Sequence, residues 1–417
     1  MRSEPFPAEG LPLEQARQQV LAAIQPLAGS TTLPLVQALG RVSAEAVTAP
    51  QAVPGFRASI MDGYAIGDGS VRPEPGARWR LVGRAAPGAP FGAALAAGEA
   101  VRILTGAPVP AGCDRVLPQE LVALAGEAVV LAGEASANPW IRAADEEAAP
   151  GEVVLEAGMR LGPAQLGRLA SCGVPELRVR LQPRVGLLIS GDELTPVGEV
   201  RAPGAIWESN GTLLEALLAR LGYGVAERLV VADEPEALRR ALRQLAERCD
   251  VVVSTGGVSA GDADWIRPLV ADLGEVNFWK LFLKPGRPFA FGQLQAGGRG
   301  VPFFGLPGNP VAAAVTALQL LWPALQRLEG APVQLLPRLR VRLAAAVKRG
   351  AGRPELARAR LEVGPAGELL ARVEGSQASS RIGSLEQADL LLEIPAACGA
   401  LEAGVELWAQ LLRLPLF

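Results

Sequence analysis

The sequence predicts a multidomain α/β plus β protein with a doubly wound sheet domain at its centre. At 417 residues the chain is too long for one ordinary core, so we expect two to four domains. Buried-type strands alternate with amphipathic helices through the middle of the chain, which predicts a parallel sheet with helices on both faces. Short strands separated by Gly/Pro turns lie on either side of this part.

The N-terminal part predicts a helical region interrupted by a β-rich unit. Apolar positions recur with helical spacing in three stretches, residues 13–24, 33–46 and 163–171. Between them, runs such as RWRLVG, EAVRILTG, DRVLPQE and EAVVLAG alternate with turns. We therefore expect residues 1–50 and 150–182 to form one region, with residues 51–149 as an inserted β domain.

Residues 183–332 predict the doubly wound domain. Its predicted strands are RVGLLIS (184–190), GVAERLVV (224–231), DVVVST (250–255) and VPFFG (301–305). Helices are predicted over residues 210–221 with Asn210 as the cap, over 234–248, and from Pro310 onward with Asn309 at the N-cap. Five short strands follow in residues 333–417 and predict a small all-β domain.

One uncharged run, residues 300–326, is long enough to suggest a membrane span. It contains four prolines, so we interpret it as a strand, a loop and a buried helix. No apolar segment of the signal-peptide type begins the chain, and we expect a cytoplasmic protein without membrane contact.

Composition excludes several kinds of chemistry. The chain has no histidine, which excludes imidazole acid–base catalysis and His-ligated zinc. Its four cysteines form no CxxC pair, so zinc knuckles and iron–sulfur clusters are not expected. The net charge of -3 comes without a basic block, which argues against nucleic acid as a partner. A metal would be a hard cation held by oxygen ligands, and Mg²⁺ fits best.

Lysine is rare in this chain, and two lysines lie close together. Only Lys280, Lys284 and Lys348 are lysines among 40 basic residues, and the first two occur in FWKLFLKPGRP. Chance can produce this pairing. The functional interpretation is that these positions need a compact ammonium group, which the planar fork of arginine does not imitate.

Three loops at predicted strand ends carry the residues of an oxyanion site. The loops are SGDEL, STGGVSAGDADW and GLPGNP, and ligands bind at the carboxyl ends of strands in such sheets. Glycine backbone, hydroxyl groups and a helix start suit a phosphate, and the acids suit Mg²⁺. The predicted binding residues are Ser190, Gly191, Thr255, Gly256, Gly257, Ser259, Gly261, Asp262, Pro307, Gly308, Asn309 and Arg287, with Asp192, Glu193, Asp262 and Asp264 as candidate metal holders. Each loop also has a plain interpretation as a connection, a solvated turn or a helix start.

Six motifs in order, MDGYA, ILTGAPVPAG, SGDEL, STGGVSAGDADW, KLFLKPGRP and GLPGNPV, closely resemble the molybdopterin molybdenumtransferase family, which includes the gephyrin E domain. The resemblance implies an elongated helical region with an inserted β domain, a doubly wound molybdopterin-binding domain and a C-terminal β-barrel. It implies a homodimer whose active site joins parts of both chains. The implied reaction inserts molybdate into adenylated molybdopterin with Mg²⁺ and releases AMP, and the molybdopterin adenylyltransferase is a candidate partner.

The resemblance also assigns residues. Matching positions imply catalytic roles for Asp62, Thr105, Glu193, Asp264, Lys280 and Lys284, with Glu193 and Asp264 holding the metal, and substrate contacts from Asp233, Arg287, Arg353, Ser379 and Ser380. Arg287 stands where the family motif has lysine. Arg57-Ala58 replaces an Asp-Asn pair ahead of MDGYA, and Glu147 departs from a Gly-Glu-Asp pattern.

The sequence leaves two alternatives to molybdate insertion. One is a different enzyme on the same sheet domain, such as a pyridine-nucleotide amidase or the adenylyltransferase of the preceding step, although these lack the MDGYA and TGAPVP motifs in a separate β unit. The other is a non-catalytic molybdopterin-binding carrier or scaffold of the gephyrin type, which would not need Asp62, Glu193 and Asp264 together.

Overall fold

The structure is a computed structural model that describes residues 9–68, 71–257, 265–373 and 375–413. Three larger β structures dominate it: a six-stranded central sheet, a second six-stranded sheet in the N-terminal half, and a closed barrel near the C-terminus. The predicted combination of α/β and all-β parts is confirmed.

The central sheet contains four parallel strands and two antiparallel ones. In spatial order its strands are Val225–Val231, Val185–Ser190, Val251–Thr255, Arg299–Leu306, Ala290–Ala296 and Gly274–Trp279. The first four pair in parallel, as predicted. The last two are antiparallel, which the sequence reading missed. Gly297 and Gly298, both with positive φ, form the two-residue turn that returns the chain along the neighbouring strand.

Helices cover both faces of the central sheet. One face carries Asn210–Arg220 and the helical run Pro310–Glu329, which comprises Pro310–Thr316, a π turn at Ala317–Leu321, and Trp322–Glu329. The opposite face carries Pro235–Arg248 and Ile266–Leu273. Leu238, Leu242 and Leu245 follow helical spacing and pack against this second face.

The long apolar helix belongs to the protein core. Among the described residues, Pro310–Glu329 alone is long and apolar enough to cross a membrane, yet 94% of the tested window is buried inside the protein. The predicted sequence of strand, loop and buried helix is confirmed.

The N-terminal helix Leu13–Ala23 forms where helical spacing predicted it, but it packs against the central-sheet domain. Ala16, Val20 and Ile24 share one core with Leu320 and Leu325 of the long helix. The assignment of this helix to one region with residues 150–182 stays a prediction, and the structure adds that its apolar face is covered by the central-sheet core. An isolated apolar stripe does not identify which surface covers it.

The predicted helix over residues 33–46 does not form. Strand Ser30–Pro34 pairs antiparallel with Glu176–Arg180, and a 3-10 turn, Leu35–Gln37, follows it. Pro34 has no N–H and restricts the residue before it, while Gly40 has a φ of 74°, so a continuous helix is disfavoured here. Residues 150–182 contain one helix, Pro163–Ser171, and two strands, Val153–Leu155 and Glu176–Arg180.

Two short antiparallel pairings join the chain segment that precedes the second sheet to the segment that follows it. Val47–Thr48 pairs with Val153–Leu155, and Ala58–Ser59 pairs with Ile141–Arg142. The sheet strands, in spatial order, are Arg115–Pro118, Gly63–Ile66, Glu99–Ile103, Arg78–Ala85, Ala128–Leu131 and Val122–Ala125, with a 3-10 turn at Gln119–Leu121. Separate apolar clusters pack on its two faces.

The C-terminal strands close into a barrel, as expected from the family resemblance. In barrel order they are Arg338–Leu343, Leu369–Arg372, Glu355–Val363, Leu390–Ile394 and Glu406–Leu411. A one-turn helix, Gly383–Glu386, precedes the fourth of these strands in the chain. The barrel has its own core, but Leu356 and Leu391 also join the core of the central sheet. The barrel therefore packs directly against the sheet domain.

Candidate active site at the sheet edge

The three predicted strand-end loops are neighbours. In the sheet register Ile189 lies opposite Thr255, and Thr255 lies opposite Leu306, so the chain leaves three adjacent strands at one edge. The predicted binding residues Ser190, Gly191, Thr255, Gly256, Gly257, Pro307, Gly308 and Asn309 lie at or just beyond these strand ends. Ser259, Gly261, Asp262 and Asp264 lie outside the described residues.

Two glycines of the middle loop are required by close packing. Gly256 has a φ of 91°, and a Cβ there would lie 2.4 Å from the Ser190 carbonyl oxygen. Gly257 has a φ of 62°, and its Cβ would meet the Ile266 side chain at 2.8 Å. Both features exclude a side chain. These glycines therefore let adjacent strand ends approach each other, in addition to leaving the backbone bare toward a ligand.

Asn210 joins two of the loops. Its Nδ2 donates hydrogen bonds of 2.7 Å to the Thr255 Oγ1 and to the Gly308 carbonyl oxygen. The predicted capping role was wrong, because Asn210 is the first residue inside the helix and Ser209 occupies the cap position. The Asn210 Oδ1 is buried and accepts no hydrogen bond from the described residues. The rarity of asparagine was a sequence signal for this residue. The chain has only four asparagines, and Asn309, another of them, lies in one of the three predicted loops.

Buried hydroxyl groups at the same edge lack partners. The Oγ atoms of Ser190 and Ser254 are buried and make no hydrogen bond of ordinary geometry within the described part of the chain. Unpartnered buried polar atoms are uncommon in folded proteins and call for an explanation. Together with the Asn210 Oδ1, they leave donors and an acceptor available at the edge where three loops meet.

Three acids gather on one side of this edge. The Asp233 N–H donates to the Asp192 Oδ1 at 3.0 Å. Burial raises the pKa of Asp233, the charges of Asp192 and Glu193 raise it further, and the nearby Ser190 hydroxyl opposes the shift. The Asp233 Oδ1 is buried without a hydrogen-bond partner. The substrate contact that the family resemblance assigns to Asp233 stays a prediction.

The predicted magnesium site depends on acidic residues at this edge. In the described ranges, no three acidic, histidine or cysteine residues form a group that could hold a metal ion. Of the predicted ligand pair, Glu193 is among the described residues and Asp264 lies outside them. The chemistry of the nearby donors nevertheless suits a hard cation, because Asp233 offers an unpartnered carboxylate oxygen next to Asp192 and Glu193.

Positive charge collects where the KPGRP loop meets the barrel. The Lys284 Nζ lies 2.9 Å from the Glu355 Oε1. Arg353 donates from NH1 to the Leu283 carbonyl oxygen at 3.1 Å, and burial and the nearby charge of Arg287 lower its pKa. The structure therefore brings Lys284, Arg287 and Arg353 together, as predicted.

Lys280 occupies the start of this loop in a left-handed backbone conformation, with a φ of 74°. Its N–H donates to the Phe289 carbonyl oxygen at 2.8 Å, and its own carbonyl accepts from the Leu11 N–H at 3.1 Å. A positive φ is unfavourable for residues other than glycine and asparagine. The structure therefore holds Lys280 in a strained backbone conformation at the start of the loop.

A loop of the barrel reaches the start of the long helix. The Asn309 Nδ2 donates to the Ser379 Oγ at 3.0 Å, and the Val311 N–H donates to the Ser379 carbonyl oxygen at 3.0 Å. Asn309 occupies the N-cap position but makes no capping hydrogen bond with its side chain. Part of the helix N-terminus is thus used by Ser379, while the neighbouring Ser380 is exposed.

Arg358 holds this barrel loop in place, and sequence reasoning missed it. Its side chain is buried, with Nε donating to the Ser384 Oγ at 3.1 Å and NH2 donating to the Ala378 carbonyl oxygen at 3.2 Å. In the sequence it is one of many arginines, so no signal distinguished it from the surface ones.

Asp62 and Thr105 form a separate pair in the second sheet. The Asp62 Oδ1 accepts from the Thr105 N–H at 2.7 Å and from its Oγ1 at 2.8 Å, and these two bonds lower the pKa of Asp62. Neither residue bonds to the loops of the central sheet within the ranges the structure describes. The Arg57 guanidinium lies 3.4 Å from the Asp114 carboxylate. The arginine that replaces part of the family's Asp-Asn pair therefore has its charge paired with Asp114.

Comparisons with known proteins cover nearly the whole chain. Three family models match: the MoeA N-terminal region (domain I and II) over residues 11–173, a probable molybdopterin binding domain over 186–327, and the MoeA C-terminal region (domain IV) over 340–412. A molybdopterin molybdenumtransferase of Haemophilus influenzae is 33% identical over 94% of this chain and 96% of its own length. A gephyrin of Dictyostelium discoideum is 30% identical over 89% of this chain but 58% of its own length.

Solved structures agree with the sequence relatives. The crystal structure of a molybdopterin biosynthesis MoeA protein from Pyrococcus horikoshii aligns with a TM-score of 0.80 at 26% identity, covering 96% of this chain and all of that one. Sequence identity of 33% over nearly the full length, together with the matching architecture, establishes the family. The chain belongs to the molybdopterin molybdenumtransferase (MoeA) family.

Proposed function

We propose that this chain inserts molybdate into adenylated molybdopterin and releases AMP, the step that completes the molybdenum cofactor. The observation that carries the proposal is the pair of buried, unpartnered polar atoms at the sheet edge, the Asn210 Oδ1 and the Ser254 Oγ. Such atoms suit a polar ligand lying across the three strand-end loops. The match to a probable molybdopterin binding domain over residues 186–327 supports the pterin substrate as that ligand.

Electrostatics supply the main contribution of the protein to this reaction. Molybdate is a divalent anion that must approach a phosphate-bearing substrate, so the two reactants repel each other. Lys284, Arg287 and Arg353 offset this repulsion from the barrel side of the site. Fixed charges in a partly desolvated site act more strongly than the same charges in water. These residues therefore bind and orient the oxyanion.

The acids on the other side suit a magnesium ion. Glu193 and Asp264 are the proposed ligands, and Asp233 offers the unpartnered carboxylate oxygen described above. When bound, Mg²⁺ would polarise the phosphoanhydride from which AMP leaves. The residues of this chain would then supply oxygen ligands, hold the substrate phosphate with the Gly256–Gly257 backbone, and keep the leaving group oriented.

The second sheet contributes Asp62 and Thr105 through a homodimer. Within the described ranges these residues form no hydrogen bond with the central-sheet loops of their own chain, and a second copy would bring them there. We further propose a cytoplasmic location, with the molybdopterin adenylyltransferase as the supplier of substrate. The resemblance to gephyrin supports a carrier function less well, because this chain spans only 58% of that relative.

A direct assay tests the proposal. Purified protein is mixed with adenylated molybdopterin, and AMP is measured with and without molybdate, in magnesium buffer and after chelation of magnesium. We expect AMP release that depends on both ions. Tight pterin binding without AMP release under any of these conditions would instead support a carrier.

A further inference from the structure

Glu355 is a buried carboxylate of the barrel that contacts the site lysine. Its side chain is 4% exposed, and its Oε1 lies 2.9 Å from the Lys284 Nζ. The lysine itself is 47% exposed, so its ammonium group lies at the boundary between the barrel and solvent. A buried acid of this kind needs a cationic partner.

Backbone hydrogen bonds hold the same two residues side by side. The Lys284 N–H donates to the Pro354 carbonyl oxygen at 2.9 Å, and the Leu356 N–H donates to the Lys284 carbonyl oxygen at 2.8 Å. Lys284 and Glu355 thus form an isolated parallel bridge between the KPGRP loop and the barrel. The starting points of both side chains are fixed by main-chain contacts.

A second cation shares the Glu355 carboxylate. The Arg349 Nε lies 3.5 Å from the Glu355 Oε2, and the Arg349 side chain is 7% exposed. One carboxylate cannot neutralise two cations, so the group of three keeps a net positive charge. Arg353 and Arg287 add to it nearby. Glu355 can therefore fix Lys284 in position without cancelling the charge that attracts an oxyanion.

We propose that Glu355 is a positioning residue, which holds the Lys284 ammonium group where molybdate is bound and acts on the reaction only through that lysine. This inference rests on the proposed function. The ion pair spans two domains, so the barrel would set the geometry of a site whose loops belong mainly to the central sheet.

A double-mutant cycle on AMP release tests this inference. Glu355→Gln keeps the side-chain shape, and we expect a loss of roughly 10- to 100-fold, the scale of a misplaced catalytic group. If Glu355 acts only through Lys284, adding Glu355→Gln to Lys284→Ala changes the rate by no more than about twofold. A full, additive loss in the double variant would overturn the inference, because it would indicate a general structural effect.

Glu362→Gln is the matched control. Glu362 lies on the same strand and pairs with Arg372 at 2.6 Å within the barrel, away from Lys284. We expect the wild-type rate from this variant. If Glu355→Gln does not fold, Glu355→Asp keeps the charge but withdraws it by one methylene, and the same cycle is carried out with it.

A second readout does not depend on turnover. The chain has three lysines, so protein labelled with ¹³C only at lysine gives three Cε signals, which Lys284→Arg assigns. We expect Glu355→Gln to move the Lys284 signal most and Glu362→Gln to leave it in place. An unmoved Lys284 signal overturns the inference. A wild-type protein without molybdate-dependent AMP release, but with the moved signal, refutes the proposed function while leaving the positioning contact intact.

Discussion

The Asn210 side chain donates a hydrogen bond to the Thr255 hydroxyl at 2.7 Å and so connects the start of a helix to the end of a central strand. A second bond from the same Nδ2 reaches the Gly308 carbonyl oxygen at 2.7 Å. One amide group therefore sets the separation of two loops that we assign to substrate binding. Its Oδ1 remains available to a ligand.

Replacing Asn210 with alanine should weaken substrate binding. Both loop bonds and the free acceptor are lost, so we expect kcat/KM for adenylated molybdopterin to fall roughly tenfold or more, at about 1 kcal/mol per hydrogen bond. Asn277→Ala, on the edge strand of the same sheet, is the control and should retain wild-type kcat/KM. Equal kcat/KM values for the two variants would show that the Asn210 bridge has no functional role.

The Asp62–Thr105 pair predicts a change in pH dependence. Two hydrogen bonds from Thr105 lower the pKa of Asp62, so the carboxylate persists to lower pH than it otherwise would. Thr105→Val removes the hydroxyl bond and raises that pKa. If the ionised carboxylate is required, the acid limb of kcat/KM against pH moves to higher pH. Thr48→Val, on an exposed strand position, should leave the limb unchanged.

An unmoved acid limb in Thr105→Val, combined with loss of activity in Asp62→Asn, would mean that Asp62 acts without titrating in the measured range. That combination would contradict the electrostatic role assigned to the hydroxyl bond.

The proposed homodimer, in which each active site takes residues from both chains, predicts complementation between inactive variants. We expect Asp62→Ala and Lys284→Ala to be inactive or nearly so when pure. After unfolding and refolding of an equal mixture, half of the dimers carry one variant chain of each kind, and each such dimer has one intact site. Activity of about one quarter of the wild-type value is expected from random pairing of a twofold dimer. Absence of recovery, with dimers present by light scattering, would place Asp62 and Lys284 in the same chain's site.

A buried ion pair between the N-terminal region and the central-sheet domain should contribute strongly to stability. The Arg160 NH2 lies 2.7 Å from the Glu329 Oε2, which also accepts from the Tyr223 hydroxyl at 2.9 Å, and Glu329 is buried. Arg160→Met leaves that carboxylate without its cation and should lower the free energy of unfolding by about 3–5 kcal/mol. Urea denaturation measures this change.

Arg178→Met gives the comparison for a surface pair. Arg178 and Glu45 are both more than half exposed, so removing their contact should cost about 0–1 kcal/mol. Similar values for Arg160→Met and Arg178→Met would show that the buried pair contributes no more than a solvated one.

Much of the sheet edge was predictable from the sequence, because it depends on local patterns. The strands before Ser190, Gly256 and Pro307 are continuous apolar runs, and the topology of a parallel sheet brings their ends together. The rarity of lysine likewise indicated Lys284. These signals do not require knowledge of distant contacts.

The missed features depend on tertiary contacts. Helical spacing predicts the helix Leu13–Ala23 but does not reveal that Val20 packs against the helical run Pro310–Glu329. Glu355 has no sequence signal, since its partner lies 71 positions earlier and the pairing arises only when the barrel docks. The Gly297-Gly298 hairpin was a recognisable signal that was not used.

The most direct test of the central claim is AMP release from adenylated molybdopterin in magnesium buffer, with and without molybdate, by wild-type protein, Lys284→Ala and Lys348→Ala. We predict molybdate-dependent release by the wild type, a loss of roughly 10²- to 10³-fold in Lys284→Ala, and an unchanged rate in Lys348→Ala. Full activity of a folded Lys284→Ala, or release that does not depend on molybdate, would contradict the claim that this sheet edge and its lysine insert molybdate.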